Sequence, residues 1–323
     1  MLNYFARSGR AGVVAVVVAF AGLSIGSTIA KSTGEPGPVV AFWRFCLCAV
    51  IWHAVVAVRG RRNGSQRTVG ATAWRAATIP GLAFGVNLSL FFSGATRTPI
   101  AHAEFISALT PVVMVPLAAR LARQRVERAV VLLGAVALSG IALILSAAPA
   151  GGTSLTGDAL VIGAVATWIL YLMIAKSARA RVDTPRFMAV MSTAAAAVTL
   201  PIALVTADSP GAATSLAPRT WVLVTTMAVV SGVVAHGLIA WAQQRVAVGT
   251  ISLLQLTQPA LGVLWAAIFL GEPARPVQLI GMLLVLVAVG VIARRSSRVE
   301  QGRRAEHVTS TKSTRNASVT PVT

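Results

Sequence analysis

Two groups of polar residues, each placed just before a proline, are the part of the sequence best suited to binding a small molecule. The first group is Glu104, Ser107 and Thr110, followed by Pro111. The second is Ser252, Gln255 and Gln258, followed by Pro259. Their spacing confines each group to an arc of about 120° on a helix. Each proline also leaves the carbonyl four residues earlier, on Ser107 and on Gln255, without its helical partner.

The helices that carry these residues must lie in lipid, because the chain is too apolar for a soluble domain. Of its 323 residues, 56% are hydrophobic and 11% are charged, against roughly 25% charged in globular proteins. The mean hydropathy is +0.77. These values exclude a soluble globule, a disordered chain and a coiled coil.

Uncharged stretches long enough to cross about 30 Å of hydrocarbon occur eight times. They are residues 11–30, 76–96, 129–148, 159–175, 187–207, 220–243, 246–270 and 276–293. Two more carry one ionised residue each, 39–58 with Arg44 and 98–119 with Glu104. We therefore predict an all-α integral membrane protein with ten transmembrane helices, numbered spans 1 to 10 in chain order.

The basic residues predict which side of the membrane each loop faces. Ten spans put both termini on one side, and positive charge accumulates in cytoplasmic loops. With cytoplasmic termini, the basic residues in outer segments are only Lys31, Arg97, Arg219 and Arg275. We expect this orientation, and the excess of Arg over Lys favours a bacterial cell membrane. The net charge of +19 then needs no nucleic-acid partner, and we expect residues 295–323 to be a basic disordered tail that contacts lipid.

The chain contains an internal duplication. The sequence Ile29-Ala30-Lys31-Ser32 reappears 145 residues later as Ile174-Ala175-Lys176-Ser177. Further pairs follow at offsets of 147 or 148: Pro38 and Pro185, Trp74 and Trp221, Gly85 and Gly232, Ala95 and Ala242, Pro111 and Pro259. The predicted halves are residues 11–148 and 158–294. Because each has five spans, the second must be inverted, an arrangement typical of transporters that open a central cavity alternately to each side.

The motifs in the two halves resemble those of a known family. The second half has Gln258-Pro259, Gly271-Glu272, Gly281 and Gly290, and the first has Phe42-Trp43-Arg44-Phe45, Thr110-Pro111, Gly134 and Gly140. Over residues 11–294 the chain resembles the EamA-type permeases of the drug/metabolite transporter superfamily. The resemblance implies a central cavity lined mainly by spans 1, 3, 4, 6, 8 and 9, and export of amino acids, other metabolites or drugs. Arg123-Gln124 replaces Gly271-Glu272 in the first half, and Met191 replaces Arg44 in the second, so the halves should have unequal roles.

We interpret the two polar groups as the walls of that cavity. Glu104 is the only acid within a span, and low dielectric disfavours its charged form, which makes it a candidate for proton coupling. The alternative is that the polar groups bond between helices, with Glu104 reaching the outer surface or pairing with Arg97.

Other polar and aromatic residues in the spans each have two possible roles. Trp168 and Tyr171 could form an aromatic cavity wall or pack against lipid and neighbouring helices, and Asn87 and His236 could bind substrate or bond between helices. We expect Arg44 to reach the outer surface or to form a structural pair, with substrate contact as the alternative.

Glycines and cysteines in the spans favour packing roles. Gly22 with Gly26, and Gly81 with Gly85, are GxxxG pairs typical of close helix packing. Cys46 and Cys48 are interpreted as small packing residues.

The function predicted from the sequence is a secondary-active carrier that exports a small metabolite, amino acid or drug by alternating access. No nucleotide-binding motif is present, so transport would be driven by a gradient or by exchange. A channel or scaffold and a membrane-embedded enzyme are the alternatives. No catalytic constellation, metal site or cofactor is predicted; the expected partners are a small-molecule substrate and membrane lipid.

Overall fold

The computed structural model describes residues 2–62, 64, 68–98, 100–121, 123, 126–146, 154–209, 211–270, 275–292 and 295. Regular structure in these ranges is helical throughout. The helices are α1 (Leu2–Ser24), α2 (Gly26–Ser32), α3 (Gly37–Arg62), α4 (Ala71–Arg97), α5 (Ile100–Ala108), α6 (Thr110–Leu121), α7 (Arg128–Ser146), α8 (Leu155–Arg179), α9 (Thr184–Thr206), α10 (Pro218–Met227), a π-helix (Ala228–Ala235), α11 (His236–Ala242), α12 (Val248–Leu254), α13 (Thr257–Leu270) and α14 (Pro276–Ile292). The Gly271-Glu272 motif and, apart from Arg295, the predicted tail lie outside the described residues.

The prediction of an all-α membrane protein is confirmed. Within the described ranges, seven helical stretches are long and apolar enough to cross a membrane: Ala11–Ser32, Gly37–Arg62, Ala71–Arg97, Ala103–Leu121, Leu155–Arg179, Thr184–Thr206 and Pro218–Ala242. Two shorter apolar helices, Arg128–Ile144 and Pro276–Ile292, fall on predicted spans 5 and 10. Span 9 is divided into α12 and α13, so the count of ten spans stays a prediction.

The helices that carry the polar groups are interrupted just before their prolines. A turn at Leu109 separates α5 from α6, two residues before Pro111. A turn at Gln255 and Leu256 separates α12 from α13, shortly before Pro259. A proline ring clashes with the carbonyl four residues earlier and cannot donate to it. Proline alone does not force such a break, because Pro80 lies inside the continuous helix α4.

One half of the fold packs on the other through close helix contacts. Helix α4 packs against α8 and α9, and α3 packs against α9 and the π-helix. A Cβ atom added at Gly81 would lie 2.6 Å from the carbonyl oxygen of Met191, and one added at Gly85 would lie 2.8 Å from that of Ala195. The close packing expected for this glycine pair is therefore present, and it holds α4 and α9 backbone to backbone.

The apolar side chains are divided between a buried core and an outer surface suited to lipid. Phe45, Phe84, Leu172 and Phe187 are fully or almost fully buried where α3, α4, α8 and α9 meet. Large aliphatic side chains on the outside, such as Val50, are exposed. Hydrocarbon is the solvent in which such a surface is stable.

Candidate functional site

A cavity of about 90 Å³ lies among the helices of both halves. Its polar lining consists of Arg44, Asn87, Ser107, Thr110, Ser231, His236, Gln255 and Gln258. Its apolar lining includes Phe20, Leu23, Phe84, Leu88, Phe91, Phe92, Val165, Trp168 and Met227. A single water occupies about 10 to 15 Å³ of such volume, so the cavity has room for several waters or a small polar solute.

The two helix interruptions meet in the wall of this cavity. The side-chain nitrogen Nε2 of Gln255 donates to the carbonyl oxygen of Ser107 at 3.3 Å. The Thr110 hydroxyl donates to the same oxygen at 2.6 Å. Ser107 and Gln255 are counterparts in the duplicated sequence, and Pro111 is the residue that leaves the Ser107 carbonyl without a helical donor. The freed carbonyl therefore accepts one hydrogen bond from the first half, through Thr110, and a second from the other half, through Gln255.

Gln255 also fixes the aromatic side of the cavity. Its side-chain oxygen accepts a hydrogen bond from Nε1 of Trp168 at 2.9 Å. The Trp168 ring stacks on Tyr171, with ring centroids 5.1 Å apart. Tyr171 is completely buried and does not line the cavity, so it supports the wall from behind.

Of the other members of the polar groups, some line the cavity and some are buried away from it. Gln258 lines the cavity and donates a long hydrogen bond, 3.5 Å, to Oε2 of Glu104. Glu104 is buried at 7% exposure but does not line the cavity itself. Ser252 is also buried away from the cavity, and its hydroxyl donates to the carbonyl oxygen of Gly249. Arg97 donates to the carbonyl oxygen of Ser93 in its own helix.

Asn87 and His236 both line the cavity, and each also contacts a neighbouring helix. The amide nitrogen of Asn87 donates to the carbonyl oxygen of Ala164 at 2.6 Å, which joins α4 to α8. The His236 ring meets Phe84 edge to face at 4.6 Å between centroids, and its Nδ1 is buried without a hydrogen-bond partner. Asn87 thus forms the bond between helices that was one of its two interpretations, and substrate binding by Asn87 or His236 stays a prediction.

The expectation for Arg44 was wrong. Arg44 is 2% exposed and lines the cavity instead of reaching the outer surface, and it forms no ion pair within the described part of the chain. The reason is room beside it: Gly232 in the π-helix has no side chain, and a Cβ there would lie 3.5 Å from Nε of Arg44. The pairing of Gly232 with Gly85 was visible in the sequence, but the π-helix that aims it at Arg44 was not.

Two lysines that the duplication pairs make equivalent contacts. Nζ of Lys31 donates to the carbonyl oxygen of Thr98 at 3.4 Å. Nζ of Lys176 donates to the carbonyl oxygens of Gln243 and Val246, the latter at 2.9 Å. The first bond of each lysine spans 67 residues. Each lysine thus binds carbonyls at the C-terminal end of a helix, where cations are stabilised.

The remaining side chains of the types that bind metals are spread over the part of the chain that the structure describes. No group of three His, Cys, Asp or Glu residues lies close enough there to hold an ion. Cys46 and Cys48 are free thiols, and the Cys48 thiol donates to the carbonyl oxygen of Ala228 in the π-helix.

Comparison with known proteins connects this site to a family. The model of the EamA-like transporter family matches residues 8–146 and again residues 155–294. The chain belongs to the EamA-like transporter family. Family membership makes it a multi-pass membrane transporter.

Individual proteins also match this chain over most of its length. The threonine/homoserine exporter RhtA of Escherichia coli strain K12 is 26% identical over 284 residues, which cover 85% of this chain and 89% of the exporter. The exporter of the same name from Escherichia coli O157:H7 matches to the same extent. A solved structure described only as "Crystal structure of protein" superposes with a TM-score of 0.72 at 18% identity, covering 91% of this chain and 99% of that one.

Proposed function

We propose that this EamA-like transporter is a secondary-active exporter of a small amino acid or a similar metabolite, working by alternating access. The observation that carries this proposal is the meeting of the two broken helices at the cavity, where Gln255 of one half bonds the freed carbonyl of Ser107 in the other. Broken helices that face each other at a polar cavity are the usual substrate site of transporters built from inverted repeats.

Two inverted halves, residues 11–148 and 158–294 with five spans each, complete the proposed architecture. The repeated match to the family supports it. So does the packing, because Gly85 of the first half lies against Ala195 of the second, and their counterparts Gly232 and Cys48 lie against each other. The charge distribution supports cytoplasmic termini in a bacterial plasma membrane. Reporter fusions after Thr153 and after Ala213 should then report the outside, and fusions at Thr323 the cytoplasm. A cytoplasmic signal at Thr153 together with one at Thr323 would refute the inverted arrangement.

The lysine contacts suggest which end of the cavity is closed. In the proposed orientation Lys176 lies on the cytoplasmic side and binds two carbonyls, whereas Lys31 lies outside and binds one at longer range. We assign the structure to a state in which the cytoplasmic end is held more tightly. Exchange of conformations between the halves would then tighten the Lys31 contact and release that of Lys176.

The substrate class follows from the site and the relatives together. RhtA is named as a threonine/homoserine exporter, and the cavity here offers hydroxyl and amide groups beside an aromatic wall. These groups suit a small molecule with polar ends and a short apolar part. Glu104, behind Gln258, is the proposed group for proton coupling or for a cationic end of the substrate.

Counterflow in sealed proteoliposomes tests the proposal. Vesicles loaded with unlabelled L-threonine or L-homoserine should accumulate the labelled amino acid transiently, and initial rates should saturate with concentration. Empty vesicles carrying the same lipid provide the control. Uptake that is linear in concentration and shows no counterflow would indicate a channel, and no uptake of any small amino acid would refute the proposed substrate class.

A further inference from the structure

Two arginines are buried in the described part of the chain, and their surroundings differ completely. Each guanidinium nitrogen of Arg179 donates a hydrogen bond: Nε to the carbonyl oxygen of Ala240 at 2.9 Å, Nη1 to that of Val182, and Nη2 to the Thr184 hydroxyl at 2.6 Å. Its guanidinium also lies 5.2 Å from the ring centroid of Phe187. These contacts make Arg179 a structural residue that ties α8 to α11 and to the start of α9.

Arg44 makes no such hydrogen bonds. Its Nε is buried without a hydrogen-bond partner, and the described residues offer its guanidinium no carboxylate partner. Its aromatic contact is with the adjacent Phe45, whose ring centroid lies 5.8 Å away. The neighbours that make room for it are the neutral Cys48 and Gly232. A buried guanidinium without an anion nearby is costly, so a cavity wall that presents Arg44 favours a ligand with an anionic group.

We propose that Arg44 is a carboxylate-binding residue of the cavity, so that the transported molecules carry a carboxylate group. The inference rests on the proposed function, since it takes the cavity as the substrate site. The planar guanidinium of arginine presents two parallel N–H groups that match the two oxygens of a carboxylate. His236 lines the same cavity with a ring nitrogen that has no partner, and it would supply a further polar contact.

Only the first half of the duplicated sequence has an arginine at this position. The counterpart of Arg44 in the second half is Met191, which is buried in the packing of α9 against α4. A substrate would therefore bind with its carboxylate toward α3 and the π-helix, and its remaining groups toward the polar wall of Gln255 and Gln258. One orientation of the bound molecule is expected, although the two halves are related by sequence.

Thermal unfolding of the purified full-length protein in detergent tests the inference without requiring transport. The probes are L-threonine and L-threoninamide, which differ in the carboxylate. For wild type, the concentration of threonine that raises the unfolding temperature should be at least about tenfold lower than the concentration of threoninamide that gives the same rise. This is the difference expected for one charge-assisted contact. Arg44→Met, which copies the residue of the second half, should lose this preference, and Arg44→Lys should retain part of it.

Arg179→Lys is the matched control, because it changes a buried arginine that lies outside the cavity lining. It should unfold at a lower temperature and keep the wild-type preference for threonine. The inference is overturned if wild type shows no preference, or if Arg44→Met retains it. If the protein prefers threonine through Arg44 but shows no counterflow, the carboxylate site stands and the transport proposal fails.

Discussion

Gln255 should contribute more to stability than any other residue of the two polar groups, because it makes two interhelical hydrogen bonds at once. It accepts from Trp168 at 2.9 Å and donates to the Ser107 carbonyl at 3.3 Å. Gln255→Leu keeps a similar volume and removes both bonds. Interhelical hydrogen bonds in membrane proteins contribute about 0.6 kcal/mol on average and up to about 1.7. A buried donor left without a partner costs about 1 to 3 kcal/mol.

We therefore expect Gln255→Leu to lower the free energy of unfolding by about 1 to 4 kcal/mol. The measurement is equilibrium unfolding in mixed micelles titrated with a denaturing detergent, followed by tryptophan fluorescence and circular dichroism. Gln258→Leu is the matched control: it also replaces a cavity glutamine, but it removes one hydrogen bond of 3.5 Å. Its loss of stability should stay below about 1 kcal/mol.

A double-mutant cycle separates the bond to Trp168 from general packing effects. Trp168→Phe removes the indole donor and keeps an aromatic ring at the cavity. If the bond is formed, Trp168→Phe and Gln255→Leu together should cost less than the sum of the single changes by about 0.5 kcal/mol or more. Additive changes, or a Gln255→Leu protein as stable as Gln258→Leu, would refute the claim that Gln255 joins the two broken helices.

Three further predictions follow from the contacts outside the Gln255 network. Lys176→Met should open the cytoplasmic end and increase labelling of the cavity from that side, whereas Lys31→Met should have little effect on the same assay, since Lys31 lies at the outer end in the proposed orientation. Gly81→Ala should lower the free energy of unfolding by about 1 to 3 kcal/mol, because the added methyl group would lie 2.6 Å from a backbone oxygen. Gly134→Ala is the control and should leave the free energy of unfolding unchanged, because its methyl group would meet no neighbouring atom within 4 Å. Glu104→Gln should express and fold like wild type but abolish proton-coupled transport in proteoliposomes; a wild-type rate with an unchanged pH profile would remove Glu104 from the mechanism.

The membrane character and the general position of the site could be predicted because they depend on simple physical constraints. Spans without charges follow from the cost of exposing polar groups to hydrocarbon. The polar groups before Pro111 and Pro259 mark helix breaks because proline removes a backbone donor at a known offset. These local rules were sufficient to bring Ser107, Thr110, Gln255 and Gln258 into consideration together.

The placement of Arg44, Glu104 and Ser252 depends on packing that no local rule specifies. Span periodicity does not reveal the π-helix Ala228–Ala235, and its wider turn changes which side chains face α3. Arg44 therefore lines the cavity, contrary to the expectation from its position near the end of a span. Glu104 and Ser252 share a helical stripe with the cavity residues Ser107 and Gln255, yet both are buried away from the cavity.

Accessibility of a single cysteine at Ser107 tests most directly whether the cavity is a substrate site open in turn to both sides. Ser107→Cys would be made in a protein with Cys46 and Cys48 replaced by alanine, which removes all native thiols. Membrane-impermeant thiol reagents should label Ser107→Cys from the outside in the state described here and from the cytoplasm once Lys176→Met is added. A transported amino acid should slow labelling from either side. Absence of labelling from both sides, or labelling that no substrate slows, would place Ser107 in a packing interface and contradict the account.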